Sequence, residues 1–419
     1  MTLHTFTITL TPTERFFFGG EIVFGGDGAD QRRRSYLVKS RCLPQQTSLL
    51  GLVREQTLAA NNQLRGMAGF DLAKARTLVG NTGFHLPGKA DGTGLPLPFG
   101  AIQTLSPLSL RRTKIKEDGK LEQSCWHPVA LDVDTVEITS GGKKEEVSLS
   151  WQHLHGQYWN LEHFNAKTGL SLRFGAIGTD PIKLDDCFAE HTITGNRISN
   201  RNYRDEDGGE AKEEGLFCQT FRRNVTSPYA AALDGACQKE MELPKASEFG
   251  FQFQVTIDTD LLGAAAGALK RWKAKKTVSL GGEQSTFTWE VTHQAPDPFT
   301  PASNLSEDLA QDFRRIVLQS DTYLPQTIVD QHEAFLLGNP KSFRFFQSKL
   351  DQTKQFNDLE SDPGKKGATE GRWQSAGYTL IERGGVLLVP EPSANALQAA
   401  IESYAHFRQI GYNHCTITQ

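Results

Sequence analysis

The sequence predicts an α+β protein made of two strand-rich units in tandem. Three observations carry this. Alternating or aromatic-rich strand candidates (Leu3–Thr11, Phe249–Asp258, Thr286–His293) are separated by amphipathic stretches that begin at residues able to cap a helix. A proline-rich run, Gln294–Ser303, excludes regular structure and makes the best linker. Strand and helix patterns then resume to the last residue. With 419 residues, 38% hydrophobic and 22% charged, the chain can bury two ample cores.

Leu3–Thr11 alternates with the period of a half-buried strand. It leads through Phe16-Phe17-Phe18 and glycine turns to a basic run (Arg32, Arg33, Arg34, Lys39, Arg41) and then to Pro-Gln-Gln-Thr-Ser at 44–48. Thr47 or Ser48 can cap a helix there, worth about 1 kcal/mol, and Leu49, Val53, Ala60 and Leu64 recur at helical spacing. No Glu or Gln follows three residues on, so the capping box is incomplete. Long cations beside outward-pointing helix N–H groups would bind phosphate. The aromatic run is expected in the core, with Phe17 on the face opposite Phe16 and Phe18 and free to stack.

Residues 81–100 are rich in Gly and Pro and predict an irregular loop. The basic stretch Arg111–Lys116 follows, and Lys114–Asp180 is read as an insertion. Residues 181–224 predict a long hairpin, with Ile182–Ile193 and Gly215–Phe221 as arms and a polar tip between them. Phe249–Asp258 is the clearest strand. Asp258 or Thr259 then caps a helix over Leu261–Trp272, and Gly281-Gly282 turns into the strand Thr286–His293. Strand, helix, hairpin, strand, helix, strand is the β-α-β-β-α-β order of a ferredoxin-like unit. Passing over the insertion leans on the resemblance described below. The first unit spans 1–295, with insertions at about 81–180 and the hairpin at about 181–224.

The second unit, 304–419, predicts strands at Phe313–Gln319, Ser342–Gln347 and Tyr378–Val389, with a charged loop at Ser361–Arg372. Ser393 can cap its last helix, whose apolar face is Leu397, Ala400, Ile401 and Tyr404; Gly411 lies past its end and His414–Thr418 closes as a strand. The pattern is a degenerate ferredoxin-like unit.

Several chemistries lack their residues. Six scattered cysteines form no C-x-x-C pair, which argues against zinc and a disulfide framework and fits a reducing cytoplasm. No apolar run approaches the ~20 residues of a membrane span, and the N-terminus lacks the layout of a signal peptide. The phosphate-loop and dinucleotide patterns are both incomplete, so no cofactor is expected. The acidic block 205–210 lacks calcium-loop spacing, so no metal is expected. His153, His155, His191 and His293 could act as general bases, yet none has a partner at fixed spacing. A net charge of −4 disfavours a coat for bare RNA, although local basic stripes suit a subunit of a larger assembly.

Phe16–Glu21 (F-F-F-G-G-E), Pro44–Arg54 (P-Q-Q-T-S-L-L-G-L-V-R), Thr194–Arg197 with Glu214–Phe217 (T-G-N-R and E-G-L-F), Ser279–Glu283 (S-L-G-G-E) and Gly411–Asn413 (G-Y-N) resemble, in that order, the RAMP superfamily of CRISPR effector proteins. Within it they are most similar to the type III-B subunits that hold the 5′ end of the guide RNA. The resemblance implies two ferredoxin-like, RRM-like units with long insertions and a protruding β-hairpin. It implies a cytoplasmic, non-catalytic RNA-binding subunit that caps the 5′ tag of the guide RNA and contacts the large polymerase/cyclase-like subunit and the backbone RAMP subunits. The RNA-binding residues it points to are Lys39, Arg41, Gln45, Gln46 and Thr47, then Asn196 and Arg197 on the hairpin, then Gly281, Gly282 and Glu283. The alternative is an endoribonuclease that processes guide RNA, since some RAMP relatives do so.

Overall fold

The computed structural model describes residues 1–19, 22–25, 35–80, 99–115, 120–133, 135–140, 143–154, 158–164, 170–176, 178–197, 215–224, 247–263, 265–281, 283, 285–293, 312–343, 346–347, 373–374 and 378–418. The linker 294–303, the hairpin tip and the loop 361–372 lie outside them.

The first unit is built from β1 (Leu3–Pro12), α1 (Gln46–Ala60), β2 (Ser109–Ile115), β3 (Ser247–Asp258), α2 (Ala268–Lys273) and β4 (Thr286–Thr292). Its four strands stand side by side as β2–β3–β1–β4 within a larger sheet, every neighbour antiparallel. That is the ferredoxin-like arrangement, in which the first strand sits inside the sheet and the two helices cover one face. Phe6, Ile8 and Leu10 of β1 and Phe251, Phe253, Val255 and Ile257 of β3 are fully buried on the helix side. The other face carries Thr5, Thr9, Gln252 and Thr256.

The second unit repeats the plan with β5 (Phe313–Leu318), α3 (Gln326–Gln331), β6 (Phe335–Leu337), β7 (Val386–Pro390), α4 (Glu391–Glu402) and β8 (Cys415–Thr418). Its strands lie in the order β6–β7–β5–β8, again antiparallel throughout. The order is therefore complete rather than degenerate. The chain is α+β with two ferredoxin-like units, as expected. One hydrophobic cluster runs through both: Phe343, Leu380, Tyr404, Phe407 and Tyr412 join the residues of the first unit.

Several expectations are corrected. The second strand of the first unit is Ser109–Ile115, from a stretch read as basic loop and insertion, and not an arm of the hairpin. Its cations disguise it. Arg111 is taken up by Glu290, while Arg112 lies over the rings of Trp126 and Phe249. The hairpin arms, Phe188–Arg197 and Gly215–Asn224, form a separate sheet whose order continues through Ser35–Lys39 to Ile22–Gly25.

The helix expected over Leu261–Trp272 is two short ones. Thr259–Leu262 is capped by the Asp258 carboxylate; Gly263 ends it, and Gly267 in the left-handed region at φ 71° starts α2. Helix α4 begins at Glu391 with Pro392 in its first turn and no side-chain cap, so Ser393 lies inside it. The strand expected over Ser342–Gln347 falls as Pro340–Phe343 and Phe346–Gln347, both outside the main sheet of that unit.

Candidate nucleic-acid interface

Four of the stretches singled out in the sequence meet around Phe16–Phe18. Phe16 and Arg222 of the returning hairpin arm exchange backbone hydrogen bonds of 2.7 and 2.9 Å. The Phe17 N–H donates to Ser285 Oγ at 2.8 Å and the Phe18 N–H to Ser40 Oγ at 2.9 Å. Arg41 N–H donates to the Phe18 carbonyl at 3.0 Å, and Ser40 N–H to Thr220 at 2.9 Å. The glycine loop closes the group: a Cβ on Gly281, at φ 86°, would stand 2.4 Å from the Phe17 carbonyl oxygen. Glycine is required there both for its backbone conformation and for that approach.

The three aromatic rings are all buried. Phe16 touches Phe18, Phe188 and Phe251, and Phe18 stacks on Phe287 at 5.8 Å. Phe17 is buried too, edge-on to Phe221. The hairpin covers the face on which Phe17 was expected to stack a base, so that expectation is corrected.

The start of α1 is also turned inward. Gln45 is the N-cap residue and no side chain caps the helix, so neither Thr47 nor Ser48 takes that role. An α-helix begins with four backbone N–H groups that lack helical partners. Here the N–H groups of Ser48 and Leu49 donate to the Gln45 carbonyl, at 2.9 and 3.1 Å. Those of Gln46 and Thr47 hydrogen-bond the buried phenol oxygen of Tyr412. Burial and the nearby Asp321 carboxylate push that phenol well above its ordinary range, so it stays protonated. Gln46 is fully buried, and its amide nitrogen donates to the carbonyls of Ser106 (3.3 Å) and Gly411 (3.2 Å). The expectation of free helix N–H groups for a phosphate is therefore corrected: the chain uses them itself.

The G-Y-N stretch is the clasp that does this. Gly411, at φ 91°, packs against Ser106 O and Gln46 Nε2, where any Cβ would collide. Tyr412 occupies the helix start. Asn413 accepts from Tyr323 N–H (2.8 Å) and donates to the carbonyls of Tyr323 (3.0 Å) and Ile401 (2.9 Å).

What remains towards solvent is a compact charged group. Lys39 is half exposed and pairs with Glu190 at 2.6 Å. Glu190 also holds Arg222 at 2.9 Å, and Arg222 reaches Asp185 at 3.1 Å. The Cys42 thiol donates to Asp185 at 3.2 Å and burial pushes it far above the usual thiol range, which makes it inert. Arg41 is half-buried, and its Nη1 is shielded from solvent with no hydrogen-bond partner among the described residues. Gln45 and Thr47 are half-buried beside it, 3.4 Å apart. Asn196 and Arg197 lie at the end of their arm, opposite Leu216 and Gly215, with side chains outside the described residues. Glu283 is exposed in the left-handed region at φ 54°, and Gly282 lies outside the described residues.

Sequence reasoning passed over Glu190, Asp185 and Ser40. Their roles depend on pairing across strands far apart in the chain, for which no local pattern exists. His191 stands on the hairpin arm opposite Phe221, and His293 sits 4.7 Å from the Phe6 ring; the side chains of His153 and His155 lie outside the described residues. Among the described residues no group of three His, Cys, Asp or Glu could hold a metal ion, and no helix is long and apolar enough to cross a membrane.

No family model and no curated protein matches the chain. Among solved structures, it is similar to a chain in a cryo-EM structure of the type III-B Cmr-β complex bound to cognate target RNA and AMPPnP. The match covers 98% of this chain and 96% of that one, at 10% identity and a TM-score of 0.42.

Proposed function

We propose that this chain is a non-catalytic, RNA-binding subunit of a type III CRISPR RNA-guided effector, and that it caps the 5′ tag of the guide RNA. The observation that carries the reading is the meeting of Phe16–Phe18 with Ser40 and Arg41, with Arg222 on the returning hairpin arm, and with Gly281 and Ser285, on two ferredoxin-like units. Affinity comes from cations on phosphate and selectivity from bases splayed out of a single strand. Lys39, half exposed although paired with Glu190, and Arg41, half-buried, supply the charge. Gln45 and Thr47 offer side-chain hydrogen bonds, and Asn196, Arg197, Gly281, Gly282 and Glu283 are the further contacts to which the resemblance points. The partners are the large polymerase/cyclase-like subunit and the backbone RAMP subunits.

The test is co-purification of the tagged chain from cells carrying its own CRISPR locus, with sequencing of bound RNA and mass spectrometry of bound proteins. Guide RNA with a common 5′ tag, together with those subunits, is the expected result, reduced by Lys39→Ala with Arg41→Ala. Recovery of the chain without RNA would overturn it.

A further inference from the structure

Several of the chain's described cations are spent on its own acids. Lys39, Arg111, Arg222, Arg314, Arg315, Lys341, Arg383 and Arg408 each hold a carboxylate within 3.2 Å. One segment gathers five cations in seven positions. Residues 270–276 read Lys-Arg-Trp-Lys-Ala-Lys-Lys; no ion pair within 4 Å is formed by Lys270, Lys273 or Lys275 among the described residues, and the Glu248 carboxylate acts on Lys275 at longer range. Arg271 is committed to the fold, donating to Ala60 O at 2.8 Å and Ala266 O at 2.9 Å.

The segment is ordered. Lys273 Nζ lies 5.6 Å from the centroid of Phe6 and 3.5 Å from His293 Nε2. Lys276 Nζ lies 5.7 Å from the centroid of Trp289 and donates to Arg271 O at 3.3 Å. Ammonium groups already held against rings lose less side-chain freedom when a ligand arrives. Lys270 and Lys273, three apart on α2, share one helix face, and with Leu269 and Ala274 they line a shallow, open part of the surface.

We infer that this ledge, on the helical side of the first unit, is a separate binding site for the phosphodiester backbone of a single-stranded nucleic acid. Its chemistry favours that class over a protein. Protein interfaces are depleted in lysine and centred on exposed apolar anchors. None of the large exposed hydrophobic side chains among the described residues lies between 265 and 281. Lysines aligned along a helix and the strand after it (Lys276–Ser279) suit a ligand carrying a row of negative charges. The inference does not depend on the guide-RNA reading, because it needs neither the hairpin nor the residues around Arg41.

The test uses the full chain and fluorescence anisotropy with a labelled mixed-sequence single-stranded RNA, repeated with single-stranded DNA, across a salt series. Lys270→Gln with Lys273→Gln should weaken binding about tenfold at low salt and lower the salt slope by about 1.4, for two lost phosphate contacts. The pair Lys270→Arg with Lys273→Arg should bind as the parent does, which excludes a mere folding defect in the glutamine variant. Equal loss on RNA and DNA assigns the site to the shared backbone, and loss on RNA alone assigns it to RNA; both support the inference. A control pair, Lys114→Gln with Lys183→Gln, should cost much less. The inference is overturned if the parent binds neither probe, if the glutamine pair binds as the parent does, or if the control pair costs as much. Lys39→Ala with Arg41→Ala in the same assay reports on the other site, so either can fail alone.

Discussion

Arg111 and Glu290 stand on the two outer strands of the β2–β3–β1–β4 set and still meet, with both terminal guanidinium nitrogens 3.2 Å from one carboxylate oxygen. The arginine crosses two strands, and the residue directly opposite it on β3 is Gly250, which puts no side chain in the way. Thr9 and Gln252 on that face are buried. Both charges keep some contact with water, so the pair is worth about 1 kcal/mol. Arg111→Ala and Glu290→Gln should each cost that amount in a urea melt, and the double variant no more than either. Additive losses would show that the two do not interact.

Tyr412→Phe removes the oxygen that the first two N–H groups of α1 use, and leaves both buried without an acceptor. A loss of about 1–3 kcal/mol is expected. Hydrogen exchange should locate it at Gln46 and Thr47. Unchanged protection there would show that another group accepts these bonds.

Gly281→Ala places a Cβ against the Phe17 carbonyl at a positive φ, so the loop or the aromatic segment has to shift. The expected cost is about 1–3 kcal/mol, read as a lowered denaturant midpoint with unchanged slope. Gly250→Ala, whose nearest atoms stand at 3.2 Å, should cost less.

These positions show what the sequence discloses. Strands β1, β3 and β4 and the C-terminal helix were legible, because alternation and helical spacing are local. The glycines at 281 and 282 were legible both as a tight turn and as a phosphate loop; the close approach of Gly281 to the Phe17 carbonyl was not. Strand β2 was not: its arginines are neutralised by Glu290 and by the rings of Trp126 and Phe249, none of which neighbours it in sequence. The partner of the first helix lies 366 positions downstream of Gln46, at Tyr412, so no capping rule could find it. The candidate site was legible as a set of stretches that belong together. Which of its cations are already paired was not.

Asp132 and Arg315 are both fully buried and joined by two hydrogen bonds, of 2.6 and 2.8 Å; Trp151 donates to the same carboxylate at 2.9 Å. The pair ties the segment around residues 131–151 to β5. Arg315→Met leaves a carboxylate buried without its counter-ion and should cost about 3–5 kcal/mol. Arg314→Met, at an exposed pair with Glu391, should cost under about 1 kcal/mol. Chemical denaturation of both variants checks the contrast.

Burial holds the His414 imidazole down at about 4, below its ordinary 6.5, although its contact with the Arg408 carbonyl works the other way. A histidine favoured neutral in the fold contributes stability that is present above about 6.5 and is lost as pH falls towards 4. The denaturant midpoint should therefore drop across that interval. His414→Gln should flatten the drop, and an equally steep one in that variant would assign it to other groups.

Strand β1 pairs through Leu3 with Asp258 and through Thr7 with Thr292. At about 5–20 residues per second, a ribosome needs about 15–60 seconds to deliver that second partner. Until Phe251–Ile257 are made, Phe6, Ile8 and Leu10 have no partner strand, and after residue 292 the start of α1 waits a further 120 positions, to 412, for its tyrosine. Strand β1 thus stays unpaired until a strand about 240–255 positions downstream is made, and the sheet closes on its other side only after that.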